Sequence, residues 1–517
     1  MLFTEPTFLF LFLPVLLLLY FVGDVARRVR ACGASASARA LARVSIHGAY
    51  GNWLLLVASV IFYAKGGGSF TWLMLASIAF NYWVAIAVDR ASSTPAARRR
   101  LALAVTVNLV VLGIFKYANF FADNVNTLCL LLRVHPVVAP RVLLPIGISF
   151  FTFHAISYVV DVYRRDAIAQ KSPVHAALYL LLFPQLIAGP IIRYRDIADQ
   201  LARRVVTVDD FAYGVRRFVI GLAKKVLIAN VVAGPADRIF AMPFAQLSAA
   251  HAWLGLTCYT LQIYFDFSGY SDMAIGLGRM FGFRFPENFR WPYIADTVQE
   301  FWRRWHMSLS TWFRDYLYVP LGGNRVPPAR MYRNLVTVFF LCGLWHGASW
   351  NFAIWGLWHG LFLAVERVFG RHRTAGGARR KGSSVEGSTV SMKVLAHVYT
   401  LLVVMIGWVF FRADTLAGSI AFVKAMVGLS PAAPSPFTVA WFLTPELGLA
   451  LVAGAVGSTP WLPALSARLD RAFERAERPA LEWTISLTST ASLAALLVAS
   501  VMQMAARTYN PFIYFRF

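Results

Sequence analysis

Charge is what this sequence has least of. Asp, Glu, Lys and Arg make up 14% of its 517 residues, against roughly a quarter in an ordinary soluble domain. None of the four occurs from Asn334 to Val365. Acidic residues are the scarcer sign, 25 against 49 Lys and Arg. Cysteine is nearly absent: Cys32, Cys129, Cys258 and Cys342 stand at no paired spacing, which excludes a zinc knuckle or a Cys-x-x-Cys redox motif. Each reads as a small buried hydrophobe. There is no Gly-x-Ser-x-Gly elbow, so no strained nucleophilic serine of the hydrolase kind is expected. No internal repeat of fixed period is evident, which argues against a transporter built from duplicated halves.

What fills the chain instead is apolar surface, 58% of residues. Uncharged runs of about 18 residues or more can cross a bilayer. They include Pro6–Gly23, Val44–Ala64, Val142–Val160, Asn334–Val365, Val394–Phe411, Leu447–Ala467 and Trp483–Ala506, with Leu101–Phe115 somewhat shorter. The first run has no basic stretch before it and no small-residue cleavage site after it, so it is expected to be retained as a span. The chain reads as an all-α polytopic membrane protein of about eleven or twelve transmembrane helices, with re-entrant and amphipathic helices besides. Its formal charge of +24 lies in clusters between the apolar runs, such as Arg98–Arg100, Arg203/Arg204 and Arg371–Lys381. Short Lys/Arg-rich loops mark the cytoplasmic side, so the charge speaks for topology and against nucleic acid as a partner. Arg371–Lys393 reads as a flexible basic cytoplasmic loop, with the whole of 1–517 as one membrane domain in contact with lipid.

Beyond about Leu143 the apolar segments become interrupted. "LLFPQLIAGPIIRY" holds Pro184 and Pro190 within one run, which predicts a broken or re-entrant helix surrounded by protein. "LQIYFDFSGYSDM" places Asp266, Ser268, Tyr270 and Asp272 in a span-like stretch. Intramembrane carboxylates are costly and usually line a functional path. In "EFWRRWHMSLSTWFRDYLYVPLGG", a spacing of 100° per residue puts Trp302, Trp305, His306, Leu309, Trp312 and Phe313 on one face. This predicts one amphipathic helix with His306 on its apolar side, where the imidazole needs a hydrogen-bond partner.

The uncharged run Asn334–Val365 carries His346 and His359, each preceded by Trp and followed by Gly. As one helix its 32 residues would extend about 48 Å against roughly 30 Å of hydrocarbon, so it must be bent, tilted or turned back. A straight helix would put the two imidazoles on roughly opposite faces about 20 Å apart in rise, leaving His359 the structural one. A hairpin would weaken that conclusion. Gly343 and Gly347 leave room beside His346 for a backbone or a slender substrate, and Ser349 and Trp350 share its face.

Five motifs in order carry a resemblance. They are "LLPIGISFFTFHAISYVVDVYR", "LFPQLIAGPI", "YFDFSGYSDMAIGLGRMFGFRFPENF", "FWRRWHMSLSTWFRDYLYVPLGG" and "LWHGASWNFAIWGLWHG". Together, over about residues 46–517, they resemble the membrane-bound O-acyltransferase (MBOAT) superfamily, in its bacterial polysaccharide branch. The resemblance implies the MBOAT fold and a multi-pass protein of the bacterial inner membrane. It implies His346 as the essential histidine and general base, and His306 as the second polar position. Asp266, Ser268, Tyr270, Trp345, Ser349 and Asn351 become candidates for the substrate path. Acetyl-CoA is the implied cytosolic donor, with no permanently bound cofactor and no metal. The implied acceptor is an extracytoplasmic polysaccharide, alginate or a similar exopolysaccharide, reached directly or through a periplasmic acetyltransferase. The alternatives are a passive acetyl conduit or scaffold, and D-alanyl transfer to teichoic acid. His306 and His346 are expected on the walls of one tunnel, their imidazoles within about 10–15 Å of each other and bridged by substrate or water rather than by metal.

Overall fold

The computed structural model describes residues 1–32, 43–47, 49–91, 93–374, 390–431, 433–476 and 479–506. Most of the basic loop Arg371–Lys393 therefore lies outside the described residues. The described residues are helical almost throughout, and the chain divides into two compact units. One comprises Met1–Phe218 with Tyr270–Pro286, the other Val219–Gly269 with Glu287–Phe517.

In the first unit, helix Phe70–Arg90 is followed at once by Pro95–Leu131. The second helix starts where the sequence says it should: Thr94 Oγ1 accepts the Ala97 N–H, and Pro95 stands at the first turn, where its missing N–H costs nothing. Asn81 and Asn108 join the two helices through a reciprocal pair of buried amide bonds, 3.2 and 2.8 Å. Such polar pairs fasten helices whose apolar faces gain little from packing in lipid. The run expected to span from Val44 begins instead as a strand, Arg43–His47, paired antiparallel with Arg203–Thr207, and turns helical over Ala49–Gly67. The segment with Pro184 and Pro190 is broken as expected. It forms a helix over Pro173–Leu181, one turn at Phe183–Leu186 and non-helical backbone beyond, and residues 182–192 are buried throughout.

The second unit holds the long uncharged run, which is not one helix. It is divided between Pro328–His346 and Trp350–Thr374, with Gly347, Ala348 and Ser349 between them. The two arms pack along each other as a hairpin, and glycine permits it. A Cβ on Gly343 would lie 2.1 Å from the Phe352 carbonyl oxygen, and one on Gly356 2.1 Å from that of Phe339. Backbone meets backbone there, with no side chain to yield. Gly343→Ala and Gly356→Ala should each destabilise the protein by about 1–3 kcal/mol or more through overpacking. Gly448→Ala, on a helix with open space around it, should be neutral. Thermal unfolding in one detergent compares the three, and equal midpoints would refute the close-packed hairpin.

Helix Val390–Arg412 lies against the second arm, with the Trp358 indole N–H donating to the Val403 carbonyl at 2.9 Å. Among the described residues, six helices are individually long and apolar enough to cross a membrane. They become seven if the pair Pro445–Gly457 and Trp461–Arg468, bent by 59°, is one span. Other apolar runs take shorter helices, such as Ile148–Arg164 and Leu416–Met426.

Candidate active site

The amphipathic stretch from Glu300 does not continue through His306. It forms Val298–Arg304, breaks, and resumes as Met307–Phe313. Thr297 Oγ1 caps the first helix on the Glu300 N–H. Glu366, from the second hairpin arm, accepts the Val298 and Gln299 N–H groups at 2.7 and 3.0 Å. That carboxylate complements the positive end of the helix and fixes where it begins. At the break His306 is in the left-handed region, φ 43° and ψ 53°, which only glycine visits freely. Periodicity predicted a histidine on a helix face, whereas the structure gives one at a corner.

His306 is fully buried. Its ring stands edge-on to Phe267 at 4.6 Å and beside Trp345 at 6.2 Å. Burial holds its imidazole far below the ordinary value, at about 3, so it is neutral at physiological pH. Its Nδ1 lies 3.1 Å from Asn288 Oδ1. Its Nε2 is buried without a hydrogen-bond partner among the described residues.

His346 is the last residue of the first hairpin arm, 5% exposed. Trp345, Trp355 and Phe411 surround it, with ring centroids at 4.9, 5.0 and 5.2 Å. Gly347 lets the chain turn beside it, since a Cβ there would meet the Phe352 ring at 2.1 Å. The ring centroids of His306 and His346 are 6.5 Å apart, inside the limit expected from the sequence. The two buried imidazoles are enclosed by aromatic walls, where a proton can be taken and returned without competition from bulk water.

The hairpin also brings His359 nearer than a straight helix would, with Trp355 between it and His346 at 5.3 and 5.0 Å. His359 is fully buried, and neither ring nitrogen has a hydrogen-bond partner among the described residues. It sits against Phe301, Trp302 and Trp408. Beyond Trp302 lies an open cavity of about 250 Å³ lined by Trp302, Phe313, Phe339 and Cys342, with Arg303 and Arg314 among its polar members.

The other residues singled out in the sequence are placed differently. Trp345 joins the two histidines. The Asn351 amide donates to the Ala413 carbonyl and lies 3.3 Å from Ser419 Oγ. Ser349 is half-buried in the hairpin turn. Asp266 is paired with Lys225 at 2.6 Å, both almost fully buried. Ser268 is buried on the same helix, and Phe267 between them is the residue that reaches His306. Tyr270 belongs to the other unit, where it stacks on Phe3 at 4.5 Å. Among the described residues no group of three His, Cys, Asp or Glu side chains is placed to hold a metal ion. Asn288 was not singled out, because one Asn in a loop carries no periodic or spacing signal.

Comparison with known proteins gives the family. The family described as MBOAT, membrane-bound O-acyltransferase, matches residues 104–407. The chain is 41% identical over 538 aligned residues to a probable alginate O-acetylase of Azotobacter vinelandii, covering all of both chains. It is 38% identical to a peptidoglycan O-acetyltransferase of Helicobacter pylori, over 83% of this chain and 80% of that one. To a teichoic acid D-alanyltransferase of Bacillus subtilis it is 31% identical, over 43% of this chain and 57% of the relative.

Proposed function

Since the chain belongs to the membrane-bound O-acyltransferase family and is a multi-pass membrane enzyme of that kind, we propose that it O-acetylates an extracytoplasmic polysaccharide, drawing the acetyl group from cytosolic acetyl-CoA. The relatives named for alginate and peptidoglycan O-acetylation support a polysaccharide acceptor. The observation that carries the site is the pair of buried imidazoles, His346 and His306, 6.5 Å apart inside one unit.

In the reaction proposed, the acceptor hydroxyl oxygen attacks the thioester carbonyl carbon while His346 takes the hydroxyl proton. The tetrahedral intermediate collapses, the carbon–sulfur bond breaks, and the coenzyme A thiolate leaves and recovers a proton from the imidazolium. An acyl thioester is already activated, so the residues need supply only the base and a setting that favours the developing oxyanion. No enzyme nucleophile is required. The hydroxyl belongs to the polymer or to a serine of a periplasmic acetyltransferase, and the enzyme works in the inner membrane of a bacterium.

Purified protein in liposomes tests this, with acetyl-CoA inside and an alginate oligosaccharide outside, with and without periplasmic extract. Acetyl-CoA consumption coupled to ester formation outside is expected, stronger with extract if a protein serine intervenes. No acetyl-CoA consumption in either arrangement would overturn the assignment.

A further inference from the structure

The protonation of His306 is decided by a residue outside the histidine pair. Asn288 is fully buried in the loop that follows helix Ala249–Met280. Its main-chain carbonyl accepts the Met307 N–H at 2.9 Å, and the Arg290 N–H donates to the Arg304 carbonyl at 2.9 Å. The stretch 288–290 is thus laced antiparallel to 304–307, and these bonds hold His306 in its left-handed conformation. Such conformations persist only where the surroundings over-determine them, at a cost of about 1–3 kcal/mol.

The side chain of Asn288 adds a chemical instruction. Its Oδ1 accepts the Ser308 N–H at 3.3 Å and the Ser308 hydroxyl at 2.9 Å, and lies 3.1 Å from His306 Nδ1. A main-chain N–H can only donate. The Asn288 atom at that point is therefore the carbonyl oxygen, since the amide nitrogen would set donor against donor. A carbonyl oxygen has no proton to give, so His306 Nδ1 must carry one. In a neutral ring the lone pair then falls on Nε2, the nitrogen without a partner among the described residues.

We infer that Asn288 is a positioning residue, which fixes His306 as its Nδ1–H tautomer so that Nε2 serves the reaction as a hydrogen-bond acceptor. The inference rests on reading His306 and His346 as the reaction site. It has a consequence for their roles. Neutral His306 has no N–H left with which to steady an oxyanion, so its part is to receive a hydrogen bond, either from the hydroxyl or from His346 once that is protonated. The arrangement follows the logic in which a base is oriented by a third group. Of the rings against His306, those of Phe267, Phe289, Trp345 and His346, the last is the titratable one.

Two variants and one spectroscopic reading test this. Asn288→Leu removes the acceptor and should lower kcat per folded molecule by about 10- to 100-fold, the usual range for a residue that orients a functional imidazole, with KM for acetyl-CoA little changed. Asn288→Asp keeps an acceptor at Nδ1–H and adds negative charge beside it. It should recover much of kcat and move the acid limb of the pH–rate profile to higher pH, because a carboxylate favours the imidazolium. Nitrogen NMR of ¹⁵N-histidine-labelled protein in lipid, with His306→Gln identifying the signals, should show Nε2 unprotonated in the native chain and a tautomer mixture in Asn288→Leu. Native-like kcat and pH profiles in both variants, or a protonated Nε2 in the native protein, would overturn the inference. The NMR reading needs no turnover, so it remains decisive if His346 proves not to be the base.

Discussion

Replacing His346 with Ala should abolish acetyl transfer while leaving an inserted, folded protein. The substitution removes the proposed proton acceptor from the site, and it adds no charge. General base catalysis is worth about 10²–10⁴-fold, so residual transfer should be about one per cent or less. His346→Gln keeps hydrogen-bonding capacity but cannot hold the proton at neutral pH, and it should fail almost as badly. His359 supplies the contrast, because its ring nitrogens bond to nothing among the described residues and its place is among aromatic rings. His359→Phe should keep most of its activity per folded molecule, since it retains the ring and removes a polar group without a partner. His359→Gln should lose mainly folded protein, because a flexible amide fills an aromatic box poorly. The measurement is acetyl transfer normalised to folded protein for all four variants. Active His346 variants beside a folded but inactive His359→Phe would move the catalytic assignment thirteen residues along the hairpin.

The second large effect is expected at Lys225 and Asp266. Their side chains are 3% and 1% exposed and meet at 2.6 Å, on stretches pressed so close that a Cβ on Gly269 would lie 2.8 Å from the Gly221 carbonyl oxygen. Lys225 stands in a π-helical turn, Lys224–Ala229, a local widening often retained for a specific contact. Asp266→Ala leaves an ammonium buried without its carboxylate. Breaking such a pair from one side costs about 3–5 kcal/mol, whereas replacing both partners by apolar residues is often neutral. Asp266→Ala should therefore lose most folded protein, and Lys225→Met with Asp266→Leu should restore both folding and acetyl transfer. Normal folding of Asp266→Ala, read by thermal unfolding in detergent, would contradict the argument. A double variant that folds but does not transfer would return Asp266 to the substrate path.

The sequence disclosed some of this and hid the rest for physical reasons. The apolar runs, the break at Pro184 and Pro190 and the motifs around both histidines were legible, because bilayer length and proline geometry act on the local chain. That Asn334–Val365 was too long for one straight span was legible too. The hairpin was not, because its turn is set by two glycines thirteen residues apart that must meet in space. The corner at His306 was invisible to a 3.6-residue period, which assumes the helix continues. What interrupts it is a pair of main-chain hydrogen bonds from residues 288–290, and no reading of the stretch from Glu300 could contain them. For the same reason the ion pair of Asp266 could not be read from its own stretch: Lys225 lies 41 positions earlier.

The hairpin also fixes an order of events in time. Of its two arms, the second is long and apolar enough to enter a membrane by itself; the first, which opens with Arg330 and Arg333, is not. His346 emerges from the ribosome before two of the three rings that surround it: Trp355 follows nine positions later and Phe411 sixty-five. At about 5–20 residues per second, the imidazole waits several seconds, beyond the insertion of its own arm, before helix Val390–Arg412 arrives to enclose it. During that interval His346 lacks the wall that Phe411 supplies, so the pocket around it closes only once helix Val390–Arg412 has packed.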